Sequence, residues 1–152
     1  MSVSSREPGS SVGSDDPLYA LVGRSIEVQR TVTERDILGF AELTGDFAPH
    51  HVDEEFAARS PYGRRIAHGV LLLGYASAAS SELSAQIDQQ VVSLGYDRIR
   101  FIKPVFLGDT VTVRYEVTDF EAAKRRTSAR VEIKNQDGQL VAVATHLLQA
   151  PS

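Results

Sequence analysis

The chain has 152 residues, with 16 basic and 20 acidic side chains, a net charge of -4 and no cysteine. That length suits one domain with a sizeable core. The missing cysteine excludes a disulfide framework, a thiol nucleophile and a cysteine metal site. Charge of both signs spread along the chain offers no basic face to nucleic acid. Residues 1–16 are serine-rich without an apolar run and are expected to form a disordered tail, not a signal peptide. The longest apolar stretch, Val70 to Ala79, is interrupted by Gly74, Tyr75 and Ser77 and is too short for a bilayer. A soluble protein without a membrane partner is expected, in a cytoplasm whose reducing chemistry the lack of cysteine allows.

Ser25 to Val32 alternates polar and apolar residues and predicts a first strand. Thr33 then caps a helix, with Asp36 completing a box-like start and Ile37, Phe40, Ala41 and Thr44 on one face. Gly45 ends that helix. Asp53 caps a further short helix with Glu54 and Glu55 in its first turn, a structural task. From Ala67 to Leu83 nearly every residue is apolar or small, which predicts a helix buried on most sides. Val91 to Ile102, Thr110 to Phe120, Ser128 to Asn135 and Leu140 to Leu148 then read as strands. They are separated by Pro104 to Asp109, a charged turn and Asp137-Gly138. This order predicts an α+β protein, one domain over residues 17–150 in which a curved antiparallel sheet wraps around a central buried helix.

The chemistry concentrates in Gly45-Asp46-Phe47-Ala48-Pro49-His50-His51-Val52-Asp53 and in Ile66-Ala67-His68-Gly69 at the head of the long helix. A carboxylate and a neutral imidazole can orient and deprotonate one water, and a backbone N–H at a helix start can hold an oxyanion. Together such groups can add water to a polarised double bond. Each also has an ordinary reading: Asp46 as a turn residue, His51 as a satisfied histidine, Gly69 as a site of close approach. His68 reads best as a helix-start residue bonded to the loop, and Ser77 as a hydroxyl bonded to a carbonyl one turn back. His146 reads as a packing or edge residue, and Arg64, Arg65 and Lys103 as solvated charge. Asp46, His50 and His51 within six positions raise the question of zinc; the Pro49 turn and the lack of a further ligand in matching spacing argue against a metal.

These two motifs, with Phe101-Ile102-Lys103-Pro104-Val105 and Gly108-Asp109-Thr110, resemble the MaoC-like (R)-specific enoyl-CoA hydratase/dehydratase family of the hot-dog fold. The resemblance covers roughly residues 18 to 149. It implies a hot-dog domain that dimerises through its sheet, with an acyl-thioester tunnel near the subunit interface. Asp46 and His51 would be the catalytic pair, with His50 at the variable position before it. Gly69 would give its amide to the thioester oxygen, and Ser77 would stand beside the aspartate. One departure is Ala48, where the family usually has asparagine. The implied reaction interconverts a trans-2-enoyl thioester and an (R)-3-hydroxyacyl thioester of coenzyme A or an acyl-carrier protein. It needs no metal or redox cofactor, and the expected assembly is a homodimer or a higher oligomer built from dimers. Phe47, His50, Leu72 and Tyr75 are candidates for lining the acyl site. The alternatives are a hot-dog thioesterase and a non-catalytic acyl-thioester-binding subunit, the latter supported only by Ala48.

Overall fold

Alternation of valine and threonine decides where the sheet forms and which side of it is dry. In the computed structural model, which describes residues 15–151, β3 (Thr110–Glu121) buries Val111, Val113, Tyr115 and Val117 and turns the residues between them outward. β1 (Ser25–Thr31), β2 (Val92–Phe101), β4 (Arg126–Lys134) and β5 (Leu140–Gln149) complete one sheet in the order β1-β3-β4-β5-β2. All neighbours are antiparallel. The β4–β5 hairpin closes on Gly138 at φ +72°, a left-handed conformation that glycine adopts without a Cβ clash. β2 lies at an edge, distorted by irregular pairing with β5, and leaves Val92, Leu94 and Phe101 about half exposed.

The long helix α4 (Gly69–Ser84) packs across β1 and β3. It buries Leu72, Ala76, Ala79, Ser80 and Leu83, a single stripe at helical spacing. A helix buried on most sides was expected. Here one sheet covers one face, and Val70, Gly74, Ser77 and Ala78 stay open. Small residues are compatible with burial and do not enforce it. Residues 15–151 otherwise form the single sheet and helix predicted from the order of elements.

The connection between β1 and α4 carries three short helices. α1 (Glu34–Thr44) starts in a reciprocal cap: Asp36 N–H donates to Thr33 Oγ1 at 3.2 Å, and Thr33 N–H donates to the Asp36 carboxylate at 2.9 Å. It ends at Gly45, whose φ of +82° turns the chain left-handed and lets its N–H reach the Ala41 carbonyl. α2 (Pro49–Val52) is a single turn with no counterpart among the expected elements; Pro49 opens it, where a missing N–H costs nothing. α3 (Glu54–Arg59) is capped by Asp53, which accepts from Phe56 N–H at 3.0 Å. Of the tail expected at residues 1–16, all but the last two lie outside the described residues. Asp16 is tied down: it caps a 3-10 helix over Pro17–Leu21 and pairs with Arg125 at 2.7 Å. No described helix is long and apolar enough to cross a membrane.

Candidate active site

α2 presents His51 to the interior, where it is 7% exposed. Its Nδ1 lies 2.7 Å from the Ile66 carbonyl oxygen. A carbonyl only accepts, so Nδ1 carries the proton and Nε2 keeps the lone pair. Burial pushes the His51 pKa below its ordinary 6.5; the Ile66 carbonyl and the nearby Asp46 oppose this, and His68 and His50 add to it. Neutral at physiological pH, His51 is equipped to take a proton. Asp46 hangs from the left-handed turn that closes α1. Its Oδ1 accepts Ala48 N–H at 3.2 Å, and its side chain is 52% exposed. With Ala48 in place, Asp46 and the backbone close this loop.

Two buried residues hold the pair together. His68, which precedes α4, donates from Nε2 to the Asp46 carbonyl oxygen at 3.0 Å, and its Nδ1 is buried without a partner. Its ring is stacked on His51 with centroids 3.8 Å apart and meets Phe40 at 4.6 Å on a second contact. Arg65 corrects an expectation: it is not solvated but 5% exposed. Its Nε donates to the His51 carbonyl at 2.6 Å and its Nη1 to Glu34 at 2.8 Å, with Glu54 at 3.7 Å. It therefore ties the histidine turn to the starts of α1 and α3. A lone arginine gives no sequence signal for such a place, and only its position just before Ile-Ala-His-Gly hinted at it. Arg64 lies over the Phe106 ring at 3.9 Å instead.

A cavity of about 400 Å³ opens beside this cluster, walled by His50, His51, Gly69, Leu72, Phe101 and Lys103 among others. Gly69 is the first residue of α4, so its N–H has no carbonyl within the helix, and no bond from it is found among the described residues. A Cβ at Gly69 would sit 2.9 Å from the Phe101 ring. What approaches this position is a ring and not a second backbone. Of the four lining candidates, His50 and Leu72 reach this cavity. Phe47 and Tyr75 do not: Phe47 is exposed, and Tyr75 is half-buried with its hydroxyl enclosed and unpartnered. Ser77 is also elsewhere. It is exposed, about 12 Å from Gly69 along a straight helix, and makes no hydrogen bond to Asp46 among the described residues. His146 is no edge residue: it is 1% exposed, between Tyr115 and Ser93.

Spacing along the chain offers no third metal ligand, but in space His68 supplies one. Ligand atoms of Asp46, His51 and His68 lie within 4.8 Å of one another. The rings themselves oppose a shared ion. His51 and His68 are stacked with a tilt of 29°, and an ion about 2.1 Å from each nitrogen would have to lie in both ring planes. Nδ1 of His51 and Nε2 of His68 are moreover already bonded to carbonyl oxygens.

Residues 20–139 match the family described as MaoC like domain. The (R)-specific enoyl-CoA hydratase of Aeromonas caviae is 33% identical over 86% of this chain and 95% of that protein. The 3-hydroxybutyryl-CoA dehydratase of Methylorubrum extorquens is 37% identical over 69% of this chain, which spans 65% of that relative's length. Among solved structures, the (R)-hydratase of A. caviae involved in PHA biosynthesis superposes with a TM-score of 0.79 at 30% identity, over 86% of this chain and 96% of that one.

Proposed function

The chain belongs to the MaoC-like domain family, and from that premise and the geometry of its site we propose that it is a hydratase/dehydratase interconverting trans-2-enoyl and (R)-3-hydroxyacyl thioesters. The observation that carries this reading is the His51 ring, whose bonded Nδ1 leaves Nε2 free beside Asp46 and a cavity headed by Gly69. In an enoyl thioester the carbonyl polarises the double bond. Water attacks the β carbon, its oxygen forms the new C–O bond, and the π electrons move toward the thioester oxygen. The N–H of Gly69 receives that charge; a preorganised donor of this kind lowers a barrier by roughly 3 kcal/mol. Asp46 and His51 take one proton from the water and return one to the α carbon, so the pair ends as it began. No oxidation state changes overall, and the reaction as written calls for neither a metal nor a redox cofactor.

His68 and Arg65 are positioning residues in this scheme, one on the Asp46 carbonyl, the other on that of His51. Coenzyme A or an acyl-carrier protein carries the thioester, and the assembly is a homodimer. The open β2 edge and the uncovered face of α4 support that assembly, since unpaired strand groups favour pairing with a second copy. We assign the protein to the cytoplasm.

The test is hydration of crotonyl-CoA, followed as loss of the conjugated-enoyl absorbance. Activity in the unaltered chain and its loss in folded Asp46→Asn and His51→Ala supports the reading. Release of free thiol from saturated acyl-CoA without hydration replaces it with a thioesterase.

A further inference from the structure

A second cavity, about 480 Å³, lies at the far end of α4, between that helix and the start of β2. Its walls include Ser77, Ser80, Ser81, Ser84, Ser93 and Leu148. Behind it runs a chain of hydrogen bonds that nothing in the hydration scheme uses. The Tyr115 hydroxyl lies 2.8 Å from His146 Nδ1, and His146 Nε2 lies 2.8 Å from Ser93 Oγ.

Burial fixes the direction of that chain. Tyr115 is 0% exposed, and His146 offers the only acceptor for its proton among the described residues. An unpaired hydroxyl there would cost about 1–3 kcal/mol, so Tyr115 donates to Nδ1. His146 is kept neutral by burial, with its pKa lowered to about 4. Its single proton is therefore on Nε2 and goes to Ser93. The Ser93 oxygen accepts from within, and its own proton is left for the cavity. By contrast, Ser80 and Ser84 spend their protons on carbonyls of α4. A plain alkyl chain seated here would cover the Ser93 donor without pairing it.

Both cavities touch α4 and opposite ends of β2: Ser93, with Val91 just before the strand, walls this one, and Phe101, with Ile102 just after it, the other. When two copies pair their β2 edges antiparallel about a two-fold axis, the start of one strand meets the end of the other. The serine cavity of one protomer then adjoins the thioester cavity of its partner. We propose that this cavity receives the distal part of the acyl group and selects chains carrying a hydroxyl or carbonyl oxygen there over plain alkyl chains. The assignment rests on the hydratase reading and on the homodimer.

The experiment compares kcat/KM for crotonyl-CoA, trans-2-octenoyl-CoA and 8-hydroxy-trans-2-octenoyl-CoA. The hydroxylated substrate is expected to exceed its alkyl counterpart about tenfold, the range of one satisfied hydrogen bond. Ser93→Ala removes that ratio, while Ser93→Thr, which keeps the hydroxyl, retains it. Hydration of all three substrates with the alkyl chain equal or preferred overturns this assignment alone, as does a ratio that Ser93→Ala leaves intact. Failure to hydrate any of the three overturns the hydratase reading and this assignment with it.

Discussion

His51 and His146 are both buried histidines that burial drives toward neutrality, and they are prepared for opposite tasks. At His51 one ring nitrogen is bonded to a carbonyl and the other remains free at a cavity wall. At His146 both nitrogens are occupied, and Tyr96 is stacked on the ring at 4.2 Å. A lowered pKa is therefore not enough to make a base; a lone pair that nothing in the protein claims is needed as well. The backbone agrees with this division. His51 sits on a one-turn helix between loops, held by Arg65 and His68, whereas His146 sits inside a strand with neighbours on both sides.

The contrast makes its largest claim about rate. His51→Ala should lower crotonyl-CoA hydration about 100-fold to 10,000-fold while leaving the melting temperature within a few degrees. A His146→Ala chain should reverse the pattern, losing stability through the orphaned Tyr115 hydroxyl. If His146→Ala, once folded, lost as much activity as His51→Ala, the two histidines would not differ in kind.

Acid should separate the two next. Unfolded histidine titrates near 6.5 and folded His146 near 4, so between these values the unfolded chain binds more protons. Stability is therefore complete above pH 6.5 and declines as pH falls toward 4, by about 3 kcal/mol for this one group. Urea unfolding from pH 7.5 to 4.5 measures the slope, and His146→Gln should flatten most of it. His51 shifts in the same direction, so the acid limb of activity should lie below pH 6.5. An acid limb above 6.5 would contradict the burial of its ring.

Arg65→Met should cost about 2 kcal/mol in stability, because it leaves the His51 carbonyl and two glutamates without their buried partner. It should also lower kcat more than it raises KM, the signature of a base held in the wrong place. The smallest effect is expected at Gly69. Gly69→Ala keeps the N–H but forces the Phe101 ring aside, and KM should rise about tenfold, or about 1.4 kcal/mol. Adding Phe101→Leu should return part of that loss; an unchanged KM in Gly69→Ala would mean that the ring moves without consequence.

Much of the architecture is legible in local pattern because its causes are local. Thr33 and Asp36 form their cap within four residues, Gly45 turns its own backbone, and Val111 to Val117 alternate because a pleat has a period of two. The candidates Asp46 and His51 are legible for the same reason, since six consecutive positions carry them both. Arg65 was not, because its three partners come from α1, α2 and the start of α3, and no window along the chain contains them. Tyr115, His146 and Ser93 belong to three different strands, and only the pairing of β5 with β2 and β4 brings them into line.

The order of elements, their caps and the nearness of Asp46 to His51 are therefore written in the chain itself, because each is set by interactions a few residues long. Only the tertiary structure shows that His68 stacks on His51, that Ser77 lines a different cavity from His51, that Gly69 faces a phenyl ring, and that a second, serine-lined cavity exists. Those facts depend on where the sheet and α4 meet, and packing between distant segments has no spacing that a linear pattern can record.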